Sequence, residues 1–276
     1  MNLQTALLQG VRILEDAHVS SPRLTAEVLL CHALGRDRVY LIAHSDEELT
    51  ELAWIHYGRY LHERTQGKPT QYITKVQEFY GRPFRVSPAV LIPRPETEHL
   101  VETVLHLAPG AATVLDIGTG SGAIAVTLAL ELTARVWATD ISFDALQVAR
   151  RNAIDNGACV HLLCCDLCSA AGMRFDVVVS NPPYVPQGDQ SYLQREVRDH
   201  EPAVALYGGP TGTEIYDRLI PAACEVVKPG GWFAAELGYN SLERVFGMLE
   251  AGPWTEVGYG PDLAGIPRVI RARYSP

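Results

Sequence analysis

Two stretches of this sequence carry residue types suited to group transfer. The first is Asp116-Ile-Gly118-Thr119-Gly120-Ser121-Gly122-Ala123. Glycines at that spacing let the backbone pass close to a ligand, and a helix opening just after them offers unpaired amide donors. The second is Ser180-Asn181-Pro182-Pro183-Tyr184. Its prolines fix φ and remove two backbone donors, while Asn181, standing before a proline, is pushed into an extended conformation. The outcome is a stiff rim displaying carbonyl oxygens. A planar NH2 group has two hydrogens to give, one to the Asn181 side-chain oxygen and one to the Pro182 carbonyl, with Tyr184 packing on its flat surface.

Amide and amino-aromatic nitrogens are weak nucleophiles because their lone pair is delocalised. Two fixed acceptors aim such a nitrogen at an electrophile and favour the positive charge growing on it, which is orientation and electrostatic catalysis without a strong base. The glycine loop is less selective. Gly118-x-Gly120-x-x-Ala123 satisfies a relaxed dinucleotide fingerprint, and Asp140 stands where an acid meets ribose hydroxyls, so NAD and S-adenosylmethionine both fit these two features. Asp116 tilts the choice. A carboxylate directly before the glycines faces a diphosphate unfavourably but suits the sulfonium or ammonium of an aminoacyl ligand. Taken singly, each stretch also reads as a plain turn; together they point to methyl transfer onto a planar nitrogen.

The elements needed to position these residues are legible in the hydrophobic pattern. Short apolar runs at 112–117, 135–140, 160–166, 175–181 and 231–238 are spaced to accommodate crossover helices. That alternation predicts a mostly parallel sheet covered on both faces, with ligands at the carboxyl ends of its strands, where Asp116, Asp140, Asp166 and Asn181 stand. The final segment, 254–274, reads as two strands joined by a Gly/Pro/Asp loop, an antiparallel edge hairpin. The first third reads as a helical bundle. Leu3, Leu7, Val11 and Leu14 recur at helical spacing, Ser21-Pro22 opens a second helix that Gly35 closes, and Ser45 with Glu48 forms a capping box for a third. In that third helix Leu49, Leu52, Ala53, Tyr57, Tyr60 and Leu61 share one side. Residues 70–93 read as a hairpin or extended connector, and a helix is expected from Pro95, with Glu96 and Glu98 near its positive end. The expected organisation is thus 1–69 helical, 70–93 connector and 94–276 catalytic.

Composition narrows the function classes. The 276 residues carry a net charge of −9 and no basic block, which argues against a protein whose main task is gripping nucleic-acid phosphates. No stretch approaches the roughly 20 apolar residues of a membrane span, and no basic start leads into an apolar run, so a cytoplasmic protein is expected. Cys159, Cys164, Cys165 and Cys168 cluster beside His161, but no second pair at ligand spacing follows. They are expected to be reduced thiols packed around a buried strand, without metal. His18, His32, His44, His56, His62 and His99 show no ligand spacing either.

The glycine loop plus Asn181-Pro-Pro-Tyr184 resembles the class I S-adenosylmethionine-dependent methyltransferases of planar nitrogens, which include adenine-N6 and protein-glutamine enzymes. Further segments narrow the likeness: Gly67-Lys-Pro69, Gln71-Tyr-Ile73, Phe79-Tyr-Gly81, Leu91 to Glu98, His200 to Leu206, Glu236-Leu-Gly238 and Asp262 to Gly265. Together they are similar to the HemK family, peptide chain release factor glutamine N5-methyltransferases, over essentially the whole chain. The resemblance implies a Rossmann-like α/β domain with a seven-stranded sheet and an N-terminal helical domain that helps position the protein substrate. It implies methylation of the glutamine in the Gly-Gly-Gln loop of bacterial class I release factors, with S-adenosylhomocysteine as product; a monomer without a nucleic-acid substrate or membrane partner is expected besides. Carried over residue by residue, Gly118 to Gly122 and Asp140 match cofactor positions and Asn181 to Tyr184 the amide-binding motif; the full expected site is Asp116, Gly118, Thr119, Gly120, Ser121, Gly122, Asp140, Asp166, Leu167 and Asn181 for the cofactor, Asn181 and Pro182 for catalysis, and Asn181, Pro182, Pro183 and Tyr184 for substrate. Where some members have an aromatic residue beside the adenine, this chain has Leu167, leaving apolar packing. Arg94 to Glu98 could line the entrance or merely cap the helix at Pro95. Alternatives of the same or neighbouring chemistry are a ribosomal-protein glutamine methyltransferase and an adenine-N6 methyltransferase; a silent nucleoside-binding scaffold is the non-enzymatic reading.

Overall fold

A computed structural model describes residues 1–262 and 264–276; Leu263, within the Asp262 to Gly265 segment, lies outside the described residues. The chain divides into two units, Met1–Lys75 with Gln194–His200, and Val76–Leu193 with Glu201–Pro276.

The first unit opens with α1 (Leu3–Asp16), α2 (Pro22–Leu34), α3 (Arg38–Ala43), α4 (Glu51–Thr65) and the single turn α5 (Thr70–Thr74), so the start of the expected connector is helical. Leu3, Ala6, Leu14, Leu29, Leu30, Tyr57 and Leu61 form its core. Gly10 sits mid-helix in α1, where glycine costs about 0.5–1 kcal/mol relative to alanine. Packing explains it: a β-carbon there would stand 1.9 Å from the Tyr57 hydroxyl.

Two details of this unit differ from expectation. The Ser45/Glu48 capping box does not form, because residues 45–49 are engaged by the chain's first residues: Leu3 N–H donates to Glu47 O, Gln4 N–H to Ser45 O, and Leu49 N–H to Met1 O. Helix α4 instead starts after Thr50, whose side chain accepts from the Ala53 amide. Its buried face is Ala53, Tyr57, Leu61 and Arg64, while Leu49 lies before the helix and Leu52 is exposed.

The second unit begins with the hairpin β1 (Val76–Phe79) and β2 (Arg82–Arg85), followed by a 3-10 turn at Pro95–Thr97 and α6 (Glu98–Leu107). Then come β3 (Thr113–Ile117), α7 (Ala123–Glu131), β4 (Arg135–Asp140), α8 (Phe143–Asn156), β5 (Val160–Cys164), β6 (Phe175–Ser180) and β7 (Val185–Pro186). Helix α9 (Arg195–His200) belongs to the first, helical unit; α10 (Ala203–Leu206), β8 (Tyr207–Gly209), α11 (Glu214–Val226), β9 (Val227–Glu236), α12 (Leu242–Glu250), β10 (Trp254–Pro261) and β11 (Pro267–Tyr274) complete the second. The main sheet has seven strands in the order β10-β11-β9-β6-β3-β4-β5. Strands β9, β6, β3, β4 and β5 run parallel, and β11 pairs antiparallel with both β9 and β10, as the terminal hairpin required.

Strand order reverses at β3: the next two strands lie to one side of it and β6 with β9 to the other. Such a switch point opens a crevice at the strands' carboxyl ends, and it is here between β3 and β6. Separate apolar cores cover the two faces, one around Phe175, Tyr216 and Phe233, the other around Phe84, Val101 and Val126. The cysteine expectation is corrected by the same topology. Strand β5 is the sheet edge with one neighbour, so Cys159 and Cys164 are exposed and only Cys168 of the four is buried. Among the described residues no group of His, Cys, Asp or Glu is arranged to hold a metal.

Candidate active site

At the switch point the second unit carries a cleft of ≈ 320 Å³, lined among others by residues that follow β3, β4, β5 and β6. Its first wall is the glycine loop. Gly118 and Gly120 have φ of 75° and 54°, a region glycine enters without steric cost. The loop is folded against β4: the Gly118 and Thr119 amides both donate to Thr139 O at 2.9 Å. Asp140 completes the attachment, its Oδ2 accepting from the Gly120 amide and its Oδ1 from the Ser142 amide, each at 2.8 Å. The carboxylate is thus oriented by backbone donors and still lines the cleft, with lone pairs left for a diol.

Asp116 has a different place. It is fully buried beneath the loop and does not line the cleft. Thr119 Oγ1 donates to its Oδ2 at 2.7 Å, while Oδ1 finds no hydrogen-bond partner. Burial pushes its carboxyl up to about 7, against the Thr119 hydroxyl and the Ala125 amide, which favour the charged form. Gly122 also stands behind the wall, where a β-carbon would come within 3.1 Å of Ala149, so it serves the packing of α7 on α8.

The second wall follows β5. Asp166 and Leu167 line the cleft, as do Cys165 and Ile141. Asp166 is half exposed and ion-paired with Arg218. Leu167 has φ 50°, a left-handed conformation that costs a non-glycine residue of order 1–3 kcal/mol and concentrates at ligand sites.

The floor is Asn181-Pro182-Pro183 at the end of β6. Tyr184 turns away from the cleft: its phenol donates to Glu236 Oε1 at 3.1 Å, and burial together with that carboxylate pushes its pKa well up. Asn181 Nδ2 donates to Thr97 Oγ1 at 3.1 Å, and Thr97 Oγ1 donates to Glu236 Oε2 at 2.6 Å. Burial raises the Glu236 carboxyl, while both hydroxyls act to lower it. Two glycines make room for this floor. A β-carbon on Gly208 would meet Pro183 O at 2.4 Å, and one on Gly238 would meet the Tyr184 ring at 3.1 Å.

Arg94 and Thr97 line the cleft, whereas Glu96 is exposed and Glu98 Oε1 accepts from the Tyr80 amide at 2.7 Å, closing the hairpin turn. Arg94 donates to Glu201 Oε1 at 2.5 Å, and Glu201 Oε2 also accepts from the Ile92 amide. Of the residues expected from the sequence, Gly118, Thr119, Gly120, Ser121, Asp140, Asp166, Leu167, Asn181, Pro182 and Pro183 therefore converge on one cleft, while Asp116, Gly122 and Tyr184 lie behind it. The sequence covers Thr97 only within the Arg94 to Glu98 segment and singles out neither Glu201 nor Glu236. Each lies inside a segment that supported the resemblance, but its role comes from partners more than 80 positions away.

The cleft thus brings together the glycine loop, the Asp140 carboxylate and the Asn181-Pro182 segment. The chain matches two family models, the PrmC N-terminal domain over residues 5–74 and the methyltransferase small domain over residues 95–199. A release factor glutamine methyltransferase of Koribacter versatilis is 49% identical, the match covering 99% of each chain. Another, of Geobacter sulfurreducens, is 44% identical over 94% of this chain and 92% of that one. Among solved structures, a methyltransferase of Pyrococcus furiosus, 21% identical, has a TM-score of 0.57 and covers 75% of this chain and 94% of its own, a likeness of fold.

Proposed function

The chain belongs to the release factor glutamine methyltransferase family, and from that membership we infer that it methylates the N5 amide nitrogen of a release-factor glutamine, the one in the Gly-Gly-Gln motif of class I factors. The donor is S-adenosyl-L-methionine, which supplies a methyl group already activated on a sulfonium.

The cleft residues fit that donor. The Gly118 to Ser121 loop takes its aminoacyl part and Asp140 its ribose, while Ile141 and Leu167 give the base apolar walls beside Asp166. The orphaned Oδ1 of Asp116 marks unspent acceptor capacity beneath the same loop. On the opposite side, Asn181 Oδ1 and the Pro182 carbonyl take the two hydrogens of the glutamine amide. Nitrogen then displaces the thioether: a C–N bond forms, the C–S bond breaks, and the nitrogen sheds one proton to solvent. Both acceptors favour the charge that builds on nitrogen, so no strong base is required. The product keeps a single amide hydrogen and no longer satisfies both acceptors, which limits the reaction to one methyl.

The observation that carries this reading is that Asn181 and Pro182 line the same cleft as the glycine loop and Asp140, with the Asn181 NH2 group given to Thr97 and its oxygen left for a ligand. We further propose a monomer acting on release factors in the cytoplasm, with the methyl donor as its single cofactor. Among the described residues no helix is long and apolar enough to cross a membrane. The test is incubation with labelled S-adenosylmethionine and, in parallel, a class I release factor, ribosomal protein and nucleic acid. Mass spectrometry is expected to find one added methyl on the Gly-Gly-Gln glutamine; label confined to nucleic acid or to ribosomal protein would replace this reading by one of its rivals.

A further inference from the structure

The two ends of an asparagine carboxamide have nearly the same shape and opposite hydrogen-bonding character. Asn181 serves a glutamine amide only if its oxygen, not its NH2, faces the cleft. We infer that Thr97 and Glu236 are positioning residues that fix this choice, and thereby make the site accept a primary amide and reject a carboxylate. The inference rests on the reading of the cleft as an amide-methylation site.

The hydrogen-bond chain sets the direction. Thr97 has one hydroxyl hydrogen, and it goes to Glu236 Oε2 at 2.6 Å. The other carboxylate oxygen accepts from the Tyr184 phenol, so Glu236 is an acceptor on both sides. Thr97 therefore has only lone pairs to offer Asn181, and what lies 3.1 Å away is the Asn181 NH2 group. Turning the amide over would set oxygen against oxygen at that position.

The device is removed from solvent and anchored. Thr97 is 4% and Glu236 1% exposed. Ala235 pairs with Ser180 across the β6–β9 ladder, which brings Glu236 beside Asn181, and the Tyr216 hydroxyl donates to the Glu236 backbone oxygen at 2.5 Å. Because the Tyr184 phenol is committed to Glu236, the rim has no hydroxyl donor from that residue to lend a carboxylate. A glutamate in the substrate position would then meet two carbonyl oxygens with nothing to share between them, a mismatch that polar sites convert into strong discrimination.

The experiment compares wild type, Thr97→Val and Thr97→Ser on a release factor, with the Gln→Glu form of that factor's Gly-Gly-Gln motif as competitor. Valine keeps the volume and removes the hydroxyl; serine keeps the hydroxyl. With Thr97→Val, kcat should fall about 10- to 100-fold, as expected for a misoriented reacting group. Affinity for S-adenosylhomocysteine by calorimetry should be unchanged, and competition by the Gln→Glu factor should strengthen. Thr97→Ser should recover most of kcat. An unimpaired Thr97→Val, a Thr97→Ser as defective as the valine variant, or a parallel loss of S-adenosylhomocysteine affinity would each overturn the inference. If Thr97→Val does not fold, Glu236→Gln carries the same readouts. A wild-type protein that labels no release-factor glutamine overturns the underlying reading, whereas a labelling wild type with an unimpaired valine variant overturns this inference alone.

Discussion

On the glycine side of the cleft, support comes from close by in the chain. Thr119 bonds to Asp116 three positions earlier, and Gly120 to Asp140 twenty positions on. On the amide side, Asn181 is held by Thr97, 84 positions away, and Thr97 by Glu236, separated from it by 139. The first side is a loop shaped by backbone amides and positive φ; the second is a side-chain relay assembled from three distant segments. A backbone-built wall tolerates change in side chains it does not use, while a relay fails at its weakest hydrogen bond.

The largest effect should fall on the relay's working end. Asn181→Ala removes one of two substrate acceptors, and kcat for release-factor methylation should drop about 10²- to 10³-fold, the usual cost of losing an oriented group at developing charge. Calorimetric affinity for S-adenosylhomocysteine should stay within a factor of about two in the same variant, since the contact belongs to the substrate. Equal losses in both measurements would dissolve the distinction between the two sides. Asp140→Ala should do the converse, weakening S-adenosylhomocysteine binding by about 10- to 100-fold, since a charged acceptor and the Gly120 tether go together. Unchanged affinity would remove Asp140 from the ribose.

Gly238→Ala places a methyl 3.1 Å from the Tyr184 ring, tighter than ordinary contact. The ring is tied to Glu236, so kcat should fall several-fold while cofactor affinity holds. A separate effect, on stability and not on turnover, concerns Asp116. Its carboxyl titrates at about 7 in the folded protein, against an ordinary 3.8. The folded state thus holds the proton more tightly than the unfolded one, and stability should fall as pH rises from about 4 to 7, by about 1.4 kcal/mol per unit at most. Asp116→Asn should flatten that part of the profile, read as the difference in denaturation midpoints at pH 5 and pH 8 between variant and wild type. Identical profiles would show that Asp116 is already charged when folded.

This contrast also explains what could be read from the sequence. Strand β3, the glycines and Asp140 are legible because an apolar run, a turn and an acid at the next strand end are all local patterns. Asn181-Pro-Pro is legible for the same reason. Thr97 looked like part of a helix start and Glu236 like the end of a buried strand, since neither has a neighbour in sequence that betrays its partner. Asp116 was assigned to the cofactor by charge alone, and burial, which sequence does not display, put it under the loop. The Ser45/Glu48 box failed by a related route: a sound local signal lost to the backbone bonds that Met1 to Gln4 make with residues 45–49.

Arg64, in the helical unit, is nearly fully buried and ion-paired with Glu196 of α9, a helix of the same unit although it comes 132 positions later in the chain. Arg195 of the same helix donates to Gln66 O, against a glycine at position 67 too crowded for a β-carbon. Cutting the gene after Lys75 would therefore remove the carboxylate that pairs with Arg64 and the helix that covers it. The helical unit cannot be excised or exchanged as a cassette; any fusion or deletion has to carry Gln194–His200 along with it.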